Sequence, residues 1–208
     1  MKKNKEIELK LRLPNAQLGK DIMNDEFILS YTQSKILEVK CYEAIYLDSE
    51  EGNLNEAGLA LRIRKEGEKW VATVKTKGSS VDGLHSRDEW DVEIENPVPS
   101  IEYFKNTSIY TDLQAALGGE ILTSLFTTKF ERRIVNLSVK EKSLIELAID
   151  IGEIIVKNRR EEIAEVELEL KSGEAEDLSF IGDILIQKYG LVPEERSKFY
   201  RGLMLMKD

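Results

Sequence analysis

Strict alternation marks the first strand-length stretch of the chain. Ile7, Leu9 and Leu11 fall on one face and Glu6, Glu8 and Lys10 on the other, because successive side chains of an extended backbone point to opposite sides. A wet strand face needs only polar residues, so one such stretch on its own describes a solvated surface. The same division recurs downstream. Leu59, Leu61 and Ile63 alternate with Ala60, Arg62 and Arg64; Trp70, Ala72 and Val74 with Val71, Thr73 and Lys75; Trp90, Val92 and Ile94 with Arg87, Glu89, Asp91 and Glu93. Later, Val135 and Leu137 oppose Arg132, Asn136 and Ser138. Ile145, Leu147 and Ile149 oppose Glu146, Ala148 and Asp150, and Val166, Leu168 and Leu170 oppose Glu165, Glu167 and Glu169.

Leu37 to Asp48 also reads as a strand, Glu66-Gly67-Glu68 as a hairpin turn, Gly78 to Gly83 as a loop, and Leu122 to Ser138 as a strand. Helical spacing predicts a helix from Ala16 to about Leu29 after Pro14-Asn15. Two short ones are expected at 100–105 and 111–117, and one over 175–189 that stops at Gly190. A last helix is expected to start near Pro193 and to carry Ser197 and Lys198.

Seven or eight antiparallel strands with one charged face each cannot stack those faces on an apolar core. Closing the sheet into a barrel with the charges inside removes the conflict if water, ions or a ligand fill the interior. The expected fold is α+β, a closed antiparallel β-barrel with helices covering its apolar outer face.

The 208 residues, 41% hydrophobic and 33% charged, are read as one domain over 1–208, since no Pro/Ser-rich linker divides them. A net charge of −9 argues against general binding of nucleic acid or of an anionic membrane. An anionic substrate would therefore need locally clustered Lys and Arg. The basic run Met1 to Lys5 leads straight into the first strand, with no apolar signal core and no membrane-length apolar stretch. Cys41 has no partner for a disulfide, and a reducing cytoplasmic setting is expected.

The inward inventory combines Glu6, Glu8, Glu89, Glu146, Asp150, Glu165 and Glu167 with Lys10, Arg62, Arg64, Lys75, Arg87 and Arg132. Glu6/Glu8 and Glu165/Glu167 are spaced so that both members of each pair face the same way. Clustered hard oxygens suit Mg²⁺ or Mn²⁺ and not zinc, whose His/Cys set is missing. Arginine forks match phosphate oxygens, and such parts together make a phosphoryl-transfer site.

The ordered set Glu6-x-Glu8-x-Lys10, Tyr46-Leu47-Asp48, Leu61-Arg62-Ile63-Arg64, Lys75, Arg87-x-Glu89, Arg132, Glu146-x-x-x-Asp150-x-Gly152, Glu165-Val166-Glu167 and Ser197-Lys198 resembles the CYTH domains, also called triphosphate tunnel metalloenzymes. Gly83-Leu84-His85-Ser86-Arg87, Leu125-Phe126-Thr127-Thr128 and the Glu165–Leu170 run resemble the bacterial inorganic triphosphatase subgroup. Relatives there often carry an extra C-terminal helical phosphate-binding domain, which is not expected within these 208 residues.

The resemblance implies an eight-stranded tunnel holding triphosphate with divalent metal. Glu6, Glu8, Glu165 and Glu167 would bind metal, with Glu89, Glu146 and Asp150 helping a second ion. Lys10, Arg62, Arg64, Lys75, Arg132 and Lys198 would hold phosphates, Arg87 ranking after them. Glu6, Glu8, Lys10, Arg62, Arg64, Lys75 and Arg132 would form the catalytic set, with the water-activating base left open.

Blander readings accompany several residues. Arg62 and Arg64 could pair with barrel acids, a role compatible with phosphate binding. The lone His85 is favoured as structural or solvated over a general base. Trp70 and Trp90 fit packing under helices, Cys41 an inert wall position and Lys77 a solvated mouth. Glu169 and Lys171 rank second at the end of their strand.

The implied activity is metal-dependent hydrolysis of tripolyphosphate to diphosphate and phosphate. Alternatives on the same fold are a thiamine triphosphatase, a nucleoside triphosphatase or a class IV adenylate cyclase; from another class, a non-catalytic polyphosphate or nucleotide sensor. The expected partner is a small polyanion, with neither nucleic acid nor membrane, bound by a monomer or homodimer.

Overall fold

A computed structural model describes residues 3–32 and 37–207. Met1 and Lys2 of the basic N-terminal run lie outside them. The strands are β1 (Asn4–Arg12), β2 (Glu38–Asp48), β3 (Leu59–Glu66), β4 (Lys69–Thr76), β5 (Ser79–Val81), β6 (Leu84–Ile94), β7 (Thr123–Val139), β8 (Ser143–Val156), β9 (Arg159–Ser172) and β10 (Val192–Pro193). The helices are α1 (Ala16–Met23), α2 (Glu26–Tyr31), α3 (Asn53–Glu56), α4 (Tyr110–Leu117), α5 (Ala175–Tyr189) and α6 (Lys198–Lys207), with a 3-10 turn at Glu102–Phe104.

Eight strands close on themselves in the order β1-β9-β8-β7-β2-β3-β4-β6, and β6 pairs back onto β1. Every pairing is antiparallel, and the short β5 and β10 add to β6 and β1. Closure satisfies the strand edges and turns one face of every strand inward.

The outer face is apolar and covered, as the alternation requires. Leu9, Leu11, Leu147, Ile149, Val166 and Leu168 pack with Ile22, Ile28, Leu178, Ile181 and Leu185 of α1, α2 and α5. On the opposite wall Leu61, Ile63, Ala72, Val74, Trp90 and Val92 pack with Leu54, Phe104 and Leu113. Each such fully buried side chain contributes about 1.5–3 kcal/mol. Trp90 is buried there and Trp70 packs against the same cluster, as expected.

Three elements depart from the sequence expectations. The helix expected over 16–29 is two helices, because the Asp25 carboxylate accepts the N–H groups of Phe27 and Ile28 and so caps a new start at α2. The 78–83 loop contains β5. Pro193 does not open a helix: it pairs with Leu11, and the next N–H, that of Glu194, donates to the Lys10 carbonyl at 2.9 Å. The last helix starts at Lys198 instead, with the Ser197 hydroxyl accepting the Tyr200 N–H at 3.1 Å.

The barrel interior also holds an apolar plug. Tyr42, Ala44 and Tyr46 of β2, Phe126 and Phe130 of β7, Ile154 of β8 and Ile163 of β9 pack with Phe199, Leu203 and Leu205 of α6. Phe126, Tyr46 and Phe199 stack with ring centroids 4.7, 5.6 and 6.2 Å apart. Gly202 permits this docking, since a Cβ there would lie 2.2 Å from Phe126 Cζ.

Gly152 has a comparable role between β8 and β7, where a Cβ would lie 2.1 Å from the Lys129 carbonyl oxygen and 2.4 Å from Phe130 Cα. Backbone cannot yield as a flexible side chain does. Gly152→Ala is expected to cost about 1–3 kcal/mol of stability, read as a lowered denaturant midpoint with the unfolding slope unchanged.

Candidate functional site

The inward faces enclose a cavity of about 810 Å³. Eleven Lys and Arg side chains and eight carboxylates line it, so a positive excess is concentrated inside a chain of net charge −9. Strand register places opposite charges side by side: Glu6 opposite Arg87, Lys10 opposite Glu167, Lys75 opposite Glu89 and Arg132 opposite Asp150.

On the β1/β6 wall, Glu6 accepts from Lys75 Nζ at 2.7 Å and from Arg87 Nε at 2.6 Å, while Arg87 Nη2 reaches Glu8 at 2.8 Å. Burial pushes the Glu6 pKa up, but Lys75 and Arg87 outweigh it and hold the carboxyl far below its usual range. Between β1 and the neighbouring β9, Lys10 Nζ lies 2.9 Å from Glu167 and 3.7 Å from both Glu8 and Glu165. Burial alone would lower the Lys10 pKa, and Glu165, Glu167 and Glu8 together raise it instead. Glu167 is likewise held low, because Arg132, Lys10 and Lys198 overcome its burial.

Two arginines of β3, Arg62 and Arg64, line the cavity next. Arg62 has Glu89 at 3.9 Å, and its buried Nε has no hydrogen-bond partner among the described residues. Arg64 pairs with Glu66 and lies 4.5 Å over the Tyr42 ring. Burial and the like charge of Arg62 lower its pKa. A cation-rich wall with an unsatisfied donor is a seat for an oxyanion.

Every residue assigned to the tunnel by the sequence pattern reaches this cavity except two. Glu6, Glu8, Lys10, Arg62, Arg64, Lys75, Arg87, Glu89, Arg132, Glu146, Glu167 and Lys198 line it. Asp150 and Glu165 face the interior but stand behind the lining, 0% and 1% exposed. Asp150 binds Arg132 Nε at 2.6 Å and Lys198 Nζ at 2.7 Å.

Glu169 and Lys171 border the same space, joined at 2.7 Å. Burial raises the pKa of Glu169, as it does that of Glu89. His85 lies within β6, 5% exposed, and its Nε2 donates to the Glu194 carbonyl at 3.0 Å. It is buried and not solvated, it borders the cavity, and burial lowers its pKa.

Tyr42, Tyr46 and Asp91 line the cavity with no role assigned from sequence. The i, i+2 spacing of Tyr42, Ala44 and Tyr46 puts them on one face, yet nothing local distinguishes that face as the inner one. Burial raises the Tyr46 pKa, but Arg62, Lys198 and Lys75 prevail and lower it.

The donor chemistry fits a hard divalent cation. Asp150, Glu165 and Glu167 each bring one oxygen within 4.8 Å of the others, a buried cluster that could hold a metal ion. Glu6, Glu8 and Glu167 present carboxylates to the cavity itself. The one imidazole is bonded to a carbonyl and the one thiol, Cys41, is exposed on β2. No helix among the described residues is long and apolar enough to cross a membrane.

The chain is 32% identical over 203 residues to an inorganic triphosphatase of Haemophilus influenzae, a match covering 96% of this chain and 54% of that one. It thus spans about half the length of that curated relative. Among solved structures it superimposes on a Hippeastrum protein described as an adenylyl cyclase candidate with a dominant triphosphatase activity. There the TM-score is 0.65 at 20% identity, over 94% of this chain and 95% of that one. It also superimposes on a Bacillus halodurans protein described as an adenylate cyclase candidate, with a TM-score of 0.58 at 16% identity over 95% and 97% of the two chains. At these identities the superpositions establish the fold, a closed antiparallel tunnel. Residues 4–203 match the CYTH domain model, and with the barrel and its ordered charges in place the chain belongs to the CYTH domain family.

Proposed function

We propose that this chain hydrolyses inorganic triphosphate with a divalent metal, Mg²⁺ or Mn²⁺, cleaving tripolyphosphate with water into diphosphate and phosphate. The observation that carries the reading is the pairing of two charge sets in one cavity: Arg62, which stands 3.9 Å from Glu89 and whose buried Nε has no hydrogen-bond partner among the described residues, and Arg64 line it together with the carboxylates Glu6, Glu8 and Glu167. A pure anion binder has little use for that acidic set. The Haemophilus relative supports the same substrate class.

In this reading Arg62, Arg64, Arg132, Lys75 and Lys198 bind the phosphate oxygens and fix the chain of phosphates along the tunnel, with Lys10 and Arg87 completing the cationic frame. Glu6, Glu8 and Glu167 would hold the metal, with Glu89, Glu146, Asp150 and Glu165 supporting them. When bound, the metal neutralises phosphate charge and polarises the phosphoryl group. The surrounding barrel wall lowers the local dielectric, which strengthens each of these contacts.

Phosphate release from tripolyphosphate, ATP and thiamine triphosphate, each with Mg²⁺ or Mn²⁺, is expected to be fastest with tripolyphosphate. Cyclic AMP formation from ATP, or tight binding with no turnover of any of the three, would overturn the proposal. Arg62→Ala is expected to lower kcat/KM about 10- to 100-fold, equivalent to the loss of one hydrogen bond to a charged group at about 1.5–3 kcal/mol.

The ion pairs also set a pH dependence. Glu6 and Glu167, held low, stabilise the fold above the ordinary carboxylate range, and that stability is lost as pH falls. Lys10 and Lys198, held high, contribute below the ordinary lysine range and lose their effect as pH rises. Arg87→Met strips partners from Glu6 and Glu8. Thermal unfolding across pH is expected to show its acid-side loss beginning at a higher pH than in the unaltered protein.

A further inference from the structure

Helix α6 brings one lysine to the tunnel wall and one arginine behind it. Lys198 Nζ lies 2.7 Å from Asp150 Oδ2 and 2.9 Å from Glu167 Oε1, and it also pairs with Glu165 Oε1. One turn later on the same helix face, Arg201 spreads its guanidinium over three acceptors. Its Nε meets Glu161 Oε1 at 2.7 Å, its Nη1 meets Glu165 Oε2 at 3.1 Å, and its Nη2 donates to the Glu162 carbonyl. Glu165 is thereby shared, one oxygen to Lys198 and the other to Arg201.

Arg201 is 6% exposed and, unlike Lys198, Phe199 and Tyr200, does not border the cavity. The Lys198 stem is flexible and its ammonium is a point charge with no preferred direction. Three carboxylates surround it, and Lys10 competes for Glu167 at 2.9 Å and lies 3.7 Å from Glu165. Where Lys198 stands is therefore decided by how those carboxylates are held. The planar fork of Arg201, anchored on three points of β9, fixes Glu165 in one orientation. Gly202 lets the helix lie close enough on Phe126 for the fork to reach β9.

We propose that Arg201 is a positioning residue: by locking Glu165 against β9 it sets the place of the Lys198 ammonium at the tunnel wall, without meeting the substrate itself. The phosphate-binding role of Lys198 rests on the function proposed above, whereas its placement is a property of the ligand-free protein and can be read without any substrate.

The test is acylation of lysines in the ligand-free full chain by a water-soluble amine reagent, followed residue by residue by mass spectrometry. Lys75 serves as internal reference, because it lines the same cavity on the opposite wall. Arg201→Met is expected to accelerate labelling of Lys198 about tenfold, because an unanchored Glu165 weakens the hold on the ammonium by about one hydrogen bond and lets it swing out to the reagent, with Lys75 changing less than about twofold. Arg201→Lys keeps the charge and the helix but not the fork, and is expected to give the same selective acceleration, smaller in size. It decides the matter alone if Arg201→Met does not fold. Unchanged labelling of Lys198, or equal acceleration at Lys75, overturns the proposal. In tripolyphosphate hydrolysis the loss caused by Arg201→Met should vanish in a Lys198→Met background, and additive losses would overturn it as well. Failure of the unaltered protein to hydrolyse tripolyphosphate would sink the proposed function and leave the labelling result to stand or fall by itself.

Discussion

Enclosing charge is the constraint on which this structure depends. A carboxylate or ammonium removed from water costs several kcal/mol, and only close, well-aligned opposite charges offset that loss. The chain meets the requirement by register: antiparallel pairing sets Glu6 beside Arg87, Lys10 beside Glu167 and Arg132 beside Asp150. A slip of one residue in any of these strands would turn the charged face outward and the apolar face in. The two periodicities, outer packing and inner pairing, therefore enforce the same register, and the barrel is specified from both sides.

That compensation is uneven, and the unevenness is where binding becomes possible. The acids of β1, β6 and β9 and the bases of β1, β4 and β6 largely neutralise one another, whereas Arg62 on β3 keeps a buried Nε with no hydrogen-bond partner among the described residues. A bound polyanion would complete the second wall, and a divalent cation would displace lysines from the first. The tunnel walls are held together by the same charged groups that the proposed function assigns to binding, so under that proposal binding would exchange partners without having to build a site.

Helix α6 joins the two halves of this arrangement. Its apolar side fills one region of the barrel with the Tyr46–Phe126–Phe199 stack, and its polar side inserts Lys198 among three carboxylates. Packing energy from the plug thus supports a buried cation that ion pairing alone would hold only marginally.

The alternation of Ile7, Leu9 and Leu11 with Glu6, Glu8 and Lys10, repeated strand after strand, was sufficient to define the faces, the closed sheet and most of the tunnel lining, because side-chain direction in a strand depends only on parity. The ordered motifs sufficed for the family. What parity could not decide was depth and company. Asp150 and Glu165 carry the same pattern as Glu146 and Glu167, yet barrel curvature and the arrival of α6 leave them behind the lining, paired to Arg132, Lys198 and Arg201. Tyr42 and Tyr46 read as ordinary apolar positions until closure turned them inward. Pro193 suited a helix start until the edge of β1 claimed it as a strand. Each of these outcomes was set by a contact between segments far apart in the chain, and no local run of residues carries that information.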